Sequence, residues 1–430
     1  MIPESSILWV SLVLFVITYI CLLAFPRKRA YIALASASIF VIIGILPLNK
    51  VLPAIDWNVL LMIAGTMGTV FLFIKSNMPA KLADTIIDRM PNVKWVVVAL
   101  ALFAGLISAF IDNVATVLMV APVAMSICKK LKISPVPSII AIAISSNLQG
   151  AATLVGDTTS ILLGSALDMN FLDFFVYKGK PGLFFVIEAA ALVSVLVLLF
   201  VFRNAKQAVQ ITDKTKVTDY APTYLLILTV LALIAASFIP SEQKPAITNG
   251  LICAGFFVVG LIYYMLTKKD YLIAKHALKE IDYFTVLLLA SLFVVIAGIQ
   301  SAGVIEEIGN LFVRTSGGNV FVMYTIIVWF SVALSAVIDN IPYIATMIPV
   351  VAVIAPQLGI DPTLLYFGLL SGATLGGNIT PIGASANIAG LGILRKEGHE
   401  VSVGTFMKIS VPFTLAAVTT GYLLIWLIWA

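Results

Sequence analysis

Long apolar stretches alternate with short polar ones along this chain, and their lengths set the first expectation. Runs at approximately 7–25, 30–46, 57–74, 183–202, 222–239, 247–267, 282–300 and 407–429 can each cross the hydrocarbon core of a bilayer as a helix. Four further regions are apolar but interrupted. Regions 95–128 and 319–355 carry an Asp-Asn pair near the middle, and regions 135–175 and 363–394 are broken by polar and glycine-rich patches. The first two read as hairpins that enter and leave by the same side, the last two as crossings with an unwound centre. The run from Ile7 lacks the basic start and small-residue cleavage site of a signal peptide, so it reads as a helix that stays.

The two Asp-Asn pairs belong to near-copies of one motif, Ser108-Ala-Phe-Ile-Asp-Asn113 and Ser335-Ala-Val-Ile-Asp-Asn340. At the same spacing, without a gap, Pro122 meets Pro349, Pro135 meets Pro362, Gly150 meets Gly377, Thr153 meets Thr380 and Gly156 meets Gly383. The chain is therefore a duplication. Each copy holds five crossings and one re-entrant hairpin. Five is odd, so the second copy lies upside down relative to the first. The expected fold is an all-α polytopic membrane protein of two inverted repeats with discontinuous helices. Residues 1–205 form the first repeat, 206–221 a polar cytoplasmic linker and 222–430 the second repeat.

Composition agrees with this reading. Hydrophobic residues make up 61% of the 430 and charged residues 11%, against about 25% charged in a soluble domain. Basic residues concentrate on the cytoplasmic side of membrane proteins. With both termini outside, 21 of the 26 Lys and Arg residues fall inside and five, including Lys50, Lys178 and Arg314, fall outside. The cluster Lys129-Lys130-Leu131-Lys132 is part of that topology signal and not a nucleic-acid patch. Cys21, Cys128 and Cys253 lack metal or disulfide spacing, and His276 and His399 are too few and too distant to hold a haem or zinc.

An Asp at membrane depth costs about 2.5–3.5 kcal/mol on insertion scales, so such residues mark ion or substrate sites. The second interruption, Gly376-Gly-Asn-Ile-Thr-Pro-Ile-Gly-Ala-Ser-Ala-Asn387, is a poor continuous helix, and the first, Asn147 to Ser160, breaks more mildly. Asn113 and Asn340 read as helix N-caps at the hairpin tips, and both interruptions end in polar residues suited to cap the half-helix that follows. Helix N-termini favour an anion, and unwound carbonyls with Asp or Asn oxygens can hold Na⁺ or a proton. The candidate binding residues are Asp112, Asn113, Asn147, Thr153, Gly156, Asp157 and Thr158 in the first copy. In the second they are Asp339, Asn340, Asn378, Thr380, Gly383, Ser385 and Asn387.

No Lys, Arg or His lies deep in a span, so Asp112, Asp157 and Asp339 are expected to lack a cationic side-chain partner. A deep carboxylate without one protonates or binds a cation. This places Na⁺ or a proton near Asp112/Asn113 and Asp339/Asn340, with no cofactor besides the coupling ion. Asp157 breaks the symmetry, because Ala384 takes its place in the second copy. Asp56 and Asp282 read as helix caps. Glu188, about five residues into its span, reads as a residue near the membrane interface.

The segments Ser108–Asn113 with Pro122, Ala151–Asp157, Ser335–Asn340 and Leu375–Asn387 resemble the superfamily that joins arsenite pumps, sodium–proton antiporters, citrate carriers and the P-protein permeases. The Ile-Asp-Asn hairpins and the Gly-Ala-Ser-Ala-Asn ending at Asn387 are most like the P-protein permeases. Asp157-Thr-Thr-Ser160 departs from their usual Asp-Pro-Pro-Asn, and Ile379-Thr-Pro-Ile-Gly383 is more like the arsenite pumps. The resemblance implies an elevator mechanism, in which hairpins and broken helices move against a scaffold, and a homodimer.

The expected function is a Na⁺- or H⁺-coupled carrier of a small anion, either an arsenite-like oxyanion or a carboxylate, in the cell (inner) membrane. A Na⁺/H⁺ antiporter is the alternative within transport, and a channel suits two opposed hairpins less well. An intramembrane aspartyl protease built on Asp112, Asp157 and Asp339 is the alternative from another class. Val155-Gly-Asp157 lacks the extra glycine of that protease motif.

Overall fold

The computed structural model describes residues 4–208 and 215–430. Among them, twenty α-helices divide evenly between the halves. The first half holds α1 (Glu4–Ala24), α2 (Arg29–Ile42), α3 (Val51–Ala54), α4 (Trp57–Lys75), α5 (Met78–Ile87), α6 (Val93–Ser108), α7 (Asn113–Leu131), α8 (Val136–Gly150), α9 (Thr158–Ala166) and α10 (Leu183–Val201). The second holds α11 (Ala221–Ala236), α12 (Thr248–Thr267), α13 (Ile273–Glu280), α14 (Tyr283–Ser301), α15 (Val304–Ser316), α16 (Val320–Ser335), α17 (Asn340–Gln357), α18 (Thr363–Gly376), α19 (Ser385–Lys396) and α20 (Val403–Trp429). Each helix of the first half finds its counterpart ten helices later. A ribbon pairing Val176–Tyr177 with Lys180–Pro181 is a small β addition to an otherwise helical chain.

Eight of the described helices, α1, α4, α7, α10, α12, α14, α17 and α20, are long and apolar enough to cross a membrane. Helices α6, α8, α11 and α18 are apolar but shorter. The shortness has a cause: α6 and α8 stop where the chain turns or unwinds, as do α16 and α18. Helices α15 and α16 meet at a 118° bend. The stretch 304–313, too polar to span, thus leaves the line of the crossing that follows.

The duplication is visible in backbone detail. Asp56 and Asp282 accept from Val59 N and Thr285 N, capping α4 and α14 as expected. Asn92 caps α6 through Trp95 N, and its copy Asn319 caps α16 through Val322 N. At the hairpin tips the acid, and not the amide, is the cap. Asp112 accepts from Ala115 N and Asp339 from Ile341 N, so Asn113 and Asn340 become the first residues of α7 and α17. That corrects the expectation, and frees both Asn side chains to point elsewhere.

Each hairpin turn is fastened to its own broken helix in the same way. Thr153 Oγ1 donates to the carbonyl of Ala109, and Thr380 Oγ1 to the carbonyl of Ala336. A Cβ on Gly156 would sit 2.5 Å from the Gly150 carbonyl and 2.7 Å from those of Ser108 and Ala109. On Gly383 it would sit 2.6 Å from the Gly377 carbonyl and 2.8 Å from that of Ser335. Only a residue without a side chain lets backbone approach backbone this closely.

Helix α6 packs on α8 and α16 on α18, while α10 lies against α20. In a second body α4 packs on α12 and α14 on α2, which is one contact seen from the two halves. The halves also meet at a point where a residue touches its own copy. Asn147 Nδ2 donates to the Thr374 carbonyl at 2.7 Å across a separation of 227 residues, so this pair lies on the axis relating the repeats. Of the expected linker 206–221, residues 209–214 lie outside the described residues. On either side of them the chain bonds to the first half, through Val93 N to Gln207 O and Thr215 N to Asp84 Oδ2.

Candidate ion and substrate site

A cavity of about 370 Å³ lies where the two hairpin tips and the two helix breaks converge against α4. Its walls include Asp112, Asn113, Val114 and Ala115 at the start of α7, and Asp157 with Thr158 at the start of α9. Asn340 and Ile341 begin α17, and Ser385 begins α19. The N-termini of α7, α9, α17 and α19, two from each repeat, therefore meet at one space, with that of α14 beside them. Met67, Val70, Phe71 and Ile74 of α4 close the apolar side, while Glu280 ends α13 and Asp282 and Thr285 stand at the start of α14.

The N-termini come in two kinds. Those of α7 and α17 are capped by Asp112 and Asp339. Those of α9 and α19 follow Asp157 and Ala384, and neither receives a side-chain cap, contrary to the expectation that polar residues ending the breaks would cap them. Uncapped N–H groups at a helix start are hydrogen-bond donors that a bound anion can use.

Behind the cavity runs a buried polar chain. Asn113 Nδ2 donates to Asn147 Oδ1 at 3.0 Å, and Ser146 Oγ to the Asn113 carbonyl at 3.0 Å. Beyond Asn147, the Thr374 and Thr159 hydroxyls lie 3.0 Å apart, and Thr159 Oγ1 donates to Asp157 Oδ2 at 2.8 Å. Asn340 Nδ2 approaches the same oxygen at 3.5 Å, so Asp157 links the first break to the second hairpin. Asp157 Oδ2 is thus engaged by a hydroxyl and an amide, unlike an aspartyl dyad in which two carboxyls share a proton.

Asp339 differs from its copy. Arg29, the first residue of α2, places Nη1 2.9 Å from Asp339 Oδ2, with the two side chains 11% and 5% exposed. Ser385 Oγ donates to the same oxygen at 3.2 Å. The expectation that no deep Asp has a cationic partner is therefore wrong for Asp339. Arg29 belongs to the basic cluster between α1 and α2, and the hairpin tip reaches it. Tyr19 of α1 supports the same place, donating to the Pro342 carbonyl at 2.7 Å and bonding Thr346.

Of the fourteen residues singled out from the sequence, Asp112, Asn113, Asp157, Thr158, Asn340 and Ser385 line the cavity. Asp339 and Asn147 stand one bond behind them. The remaining six shape the breaks. Thr153, Gly156, Thr380 and Gly383 fasten break to turn, Asn387 Nδ2 donates to the Gly377 and Thr380 carbonyls, and Asn378 Nδ2 donates to the Ile144 carbonyl. Glu188 is not at an interface. Its Oε2 accepts from Gln149 Nε2 at 2.8 Å, one residue from the end of α8, which puts it at the depth of the first break. Arg29, Thr159 and Thr374 join the constellation without having been singled out. Thr159 sits within the quoted interruption, and Arg29 carries no local mark.

The charges do not balance. Asp112, Asp157, Glu280 and Asp282 line the cavity, and none of the described lining residues is basic. Among the described residues no three His, Cys, Asp or Glu side chains converge as a metal cluster. A Na⁺ held here would draw on carbonyls, hydroxyls and amides around one or two carboxylates, the donor set that broken membrane helices supply.

Residues 12–372 match the model of the citrate transporter family, CitMHS. The chain is 29% identical over 432 residues to the transporter Rv2684 of Mycobacterium tuberculosis, covering 97% of this chain and 98% of that one. It is 26% identical over 471 residues to the human P protein, covering 91% of this chain and 56% of the P protein. In fold it is similar to the YdaH transporter of Alcanivorax borkumensis, with a TM-score of 0.59 at 14% identity, over 94% of this chain and 97% of that one. With a transporter family matching most of its length and transporters as its relatives, the chain is a transporter and not a protease. It belongs to the citrate transporter family.

Proposed function

We propose that this transporter is a secondary carrier that couples a small anion to Na⁺ or H⁺. One observation carries the reading: the helix N-termini at the hairpin tips and breaks of both repeats, together with four carboxylates, face a single cavity. The N-termini, two of them uncapped, suit an oxyanion or a carboxylate. The acids oppose an anion until a cation neutralises them, so the cation binds first and prepares the site for its cargo. Asp112 and Asp157 are the cation-attracting pair, because Arg29 already compensates Asp339. The family makes a carboxylate such as citrate the first candidate, ahead of an arsenite-like species. Ile74 and Glu280 place the cavity near the ends of α4 and α14, on the side where Lys75 and Lys279 lie. The excess of basic residues makes that side cytoplasmic and both termini external, in the cell membrane. Movement of α6–α10 and α16–α20 against the pairs α4–α12 and α2–α14 would be the elevator step, in a homodimer.

A second reading has its own support. A cavity lined by four acids and no base also suits a Na⁺/H⁺ antiporter, whose whole cargo is cationic. Flux into proteoliposomes separates the two. Citrate or arsenite uptake driven by an inward Na⁺ or H⁺ gradient supports the anion carrier. A Na⁺-dependent collapse of a pH gradient, with neither anion moving, rejects it in favour of the antiporter.

A further inference from the structure

Glu188 lies outside the cavity and takes no part in the mechanism above, yet it has a defined polar partner in the membrane. Gln149 Nε2 donates to Glu188 Oε2 at 2.8 Å. The other two oxygens of the pair, Gln149 Oε1 and Glu188 Oε1, are buried and without a hydrogen-bond partner. Both are acceptors while Glu188 is ionised. One proton on Glu188 Oε1 would convert it to a donor, and an acid–amide ring closed with Gln149 Oε1 would satisfy both atoms.

The surroundings favour that neutral form. Gln149 is 2% exposed and lodged against α6, where a Cβ on Gly105 would fall 1.3 Å from its Oε1, so the amide is confined by a bare glycine. Helix α10 packs on α6, α8 and α20, and on the Lys180–Pro181 strand. Their titratable side chains are Lys94, Lys408, Tyr422 and Lys180; α8 has none. Lys180 Nζ is bonded to the Ile428 carbonyl, and Tyr422 to Thr325. Lys94 and Lys408 each lie roughly eleven residues, about 16 Å, along their helices from the level of the pair. A carboxylate there has no cation to compensate it. Phe185 and Leu192, 50% and 65% exposed, flank Glu188 on the same helix face. The carboxyl therefore borders a surface suited to lipid.

Helix packing does not demand this polar group. The copies of Gly105, Gln149 and Glu188 in the second half are Val332, Gly376 and Leu415. There the glycine stands on α18, where a Cβ would fall 2.6 Å from the Val332 Cα, and the contact is wholly apolar.

The geometry points to Glu188 as a proton-binding site of the first half, closed by Gln149 and separate from the Asp112–Asp157 cavity. The test is infrared spectroscopy on the full-length protein in lipid vesicles, titrated from mildly acid to mildly alkaline pH. A protonated-carboxyl carbonyl band is expected that vanishes in Glu188→Gln and shifts in Gln149→Leu, with Glu188 labelled in wild type by dicyclohexylcarbodiimide. No such band at any pH, or a band retained at full intensity in Glu188→Gln, overturns the assignment. Glu188→Gln keeps the shape and can retain the amide contact, so loss of its band would not reflect unfolding. The assay reads no transport, so it stands or falls apart from the function proposed above.

Discussion

The two hairpin tips share one backbone and carry different charge. Both cap their helix with an Asp, both follow the cap with Asn, and both are tied to a broken helix by a Thr and a Gly at matched positions. Yet Asp339 holds Arg29, while Asp112 has no basic partner among the described residues and faces an additional acid, Asp157, whose copy is Ala384. The duplicated features build the cavity. The divergent ones set the charge at each tip, leaving an uncompensated acid at the first and a paired one at the second.

Breaking the Arg29–Asp339 pair should have the largest effect. Arg29→Ala leaves a buried carboxylate alone, which costs about 3–5 kcal/mol. Thermal unfolding in detergent should show a clear fall in Tm, and the double variant Arg29→Ala/Asp339→Asn should recover part of it. An unchanged Tm for Arg29→Ala would mean that the tip does not depend on the pair.

Asp157→Asn comes next. Losing a charged hydrogen-bonding partner costs about 1.5–3 kcal/mol, or about 10–100-fold in cation affinity. Isothermal titration with Na⁺, or the pH dependence of uptake, would report it. Asp112→Asn should weaken coupling in the same direction, and wild-type coupling in both variants would remove these acids from the mechanism.

Gly156→Ala and Gly383→Ala probe what the halves have in common. Each would press a methyl group into backbone carbonyls, so each should lower stability by about 1–3 kcal/mol, and by similar amounts. A large difference in Tm between them would show that the two breaks are not equivalent.

The exposed Lys129–Glu397 pair, 2.5 Å apart at the ends of α7 and α19, should have the smallest effect. Its hydrogen bond to Lys129 holds the Glu397 carboxyl below the usual carboxylate range. Any stabilisation from it is present above the ordinary Glu range and fades as pH falls through the depressed value. Glu397→Gln should leave Tm at neutral pH essentially unchanged, because surface pairs contribute little.

The parts legible in the sequence are those the backbone dictates. A helix that must turn or unwind in lipid needs particular residues, and the repeated Asp-Asn, Gly and Thr positions mark those places twice. Arg29 was not legible because Arg27, Lys28 and Arg29 form one basic cluster, and only tertiary packing selects the third. Counting residues from the start of α10 sets Glu188 near the interface, because the count ignores where α8 ends beside it. The motif alone leaves the cap one residue late, at Asn113 and Asn340, since either side chain of an Asp-Asn pair can accept from a helix N–H.

The bond between Asn147 and Thr374 has a consequence for how such a molecule arises. Two identical subunits related by a dyad cannot both thrust an amide through the point where the axis runs, for the second would occupy the first one's space. Joining the subunits in one gene lifts that prohibition, letting one partner keep the amide while the other yields its main-chain oxygen. The lone Asn at the centre is thus a liberty of fusion, and returning the chain to a pair of equal polypeptides would forfeit it.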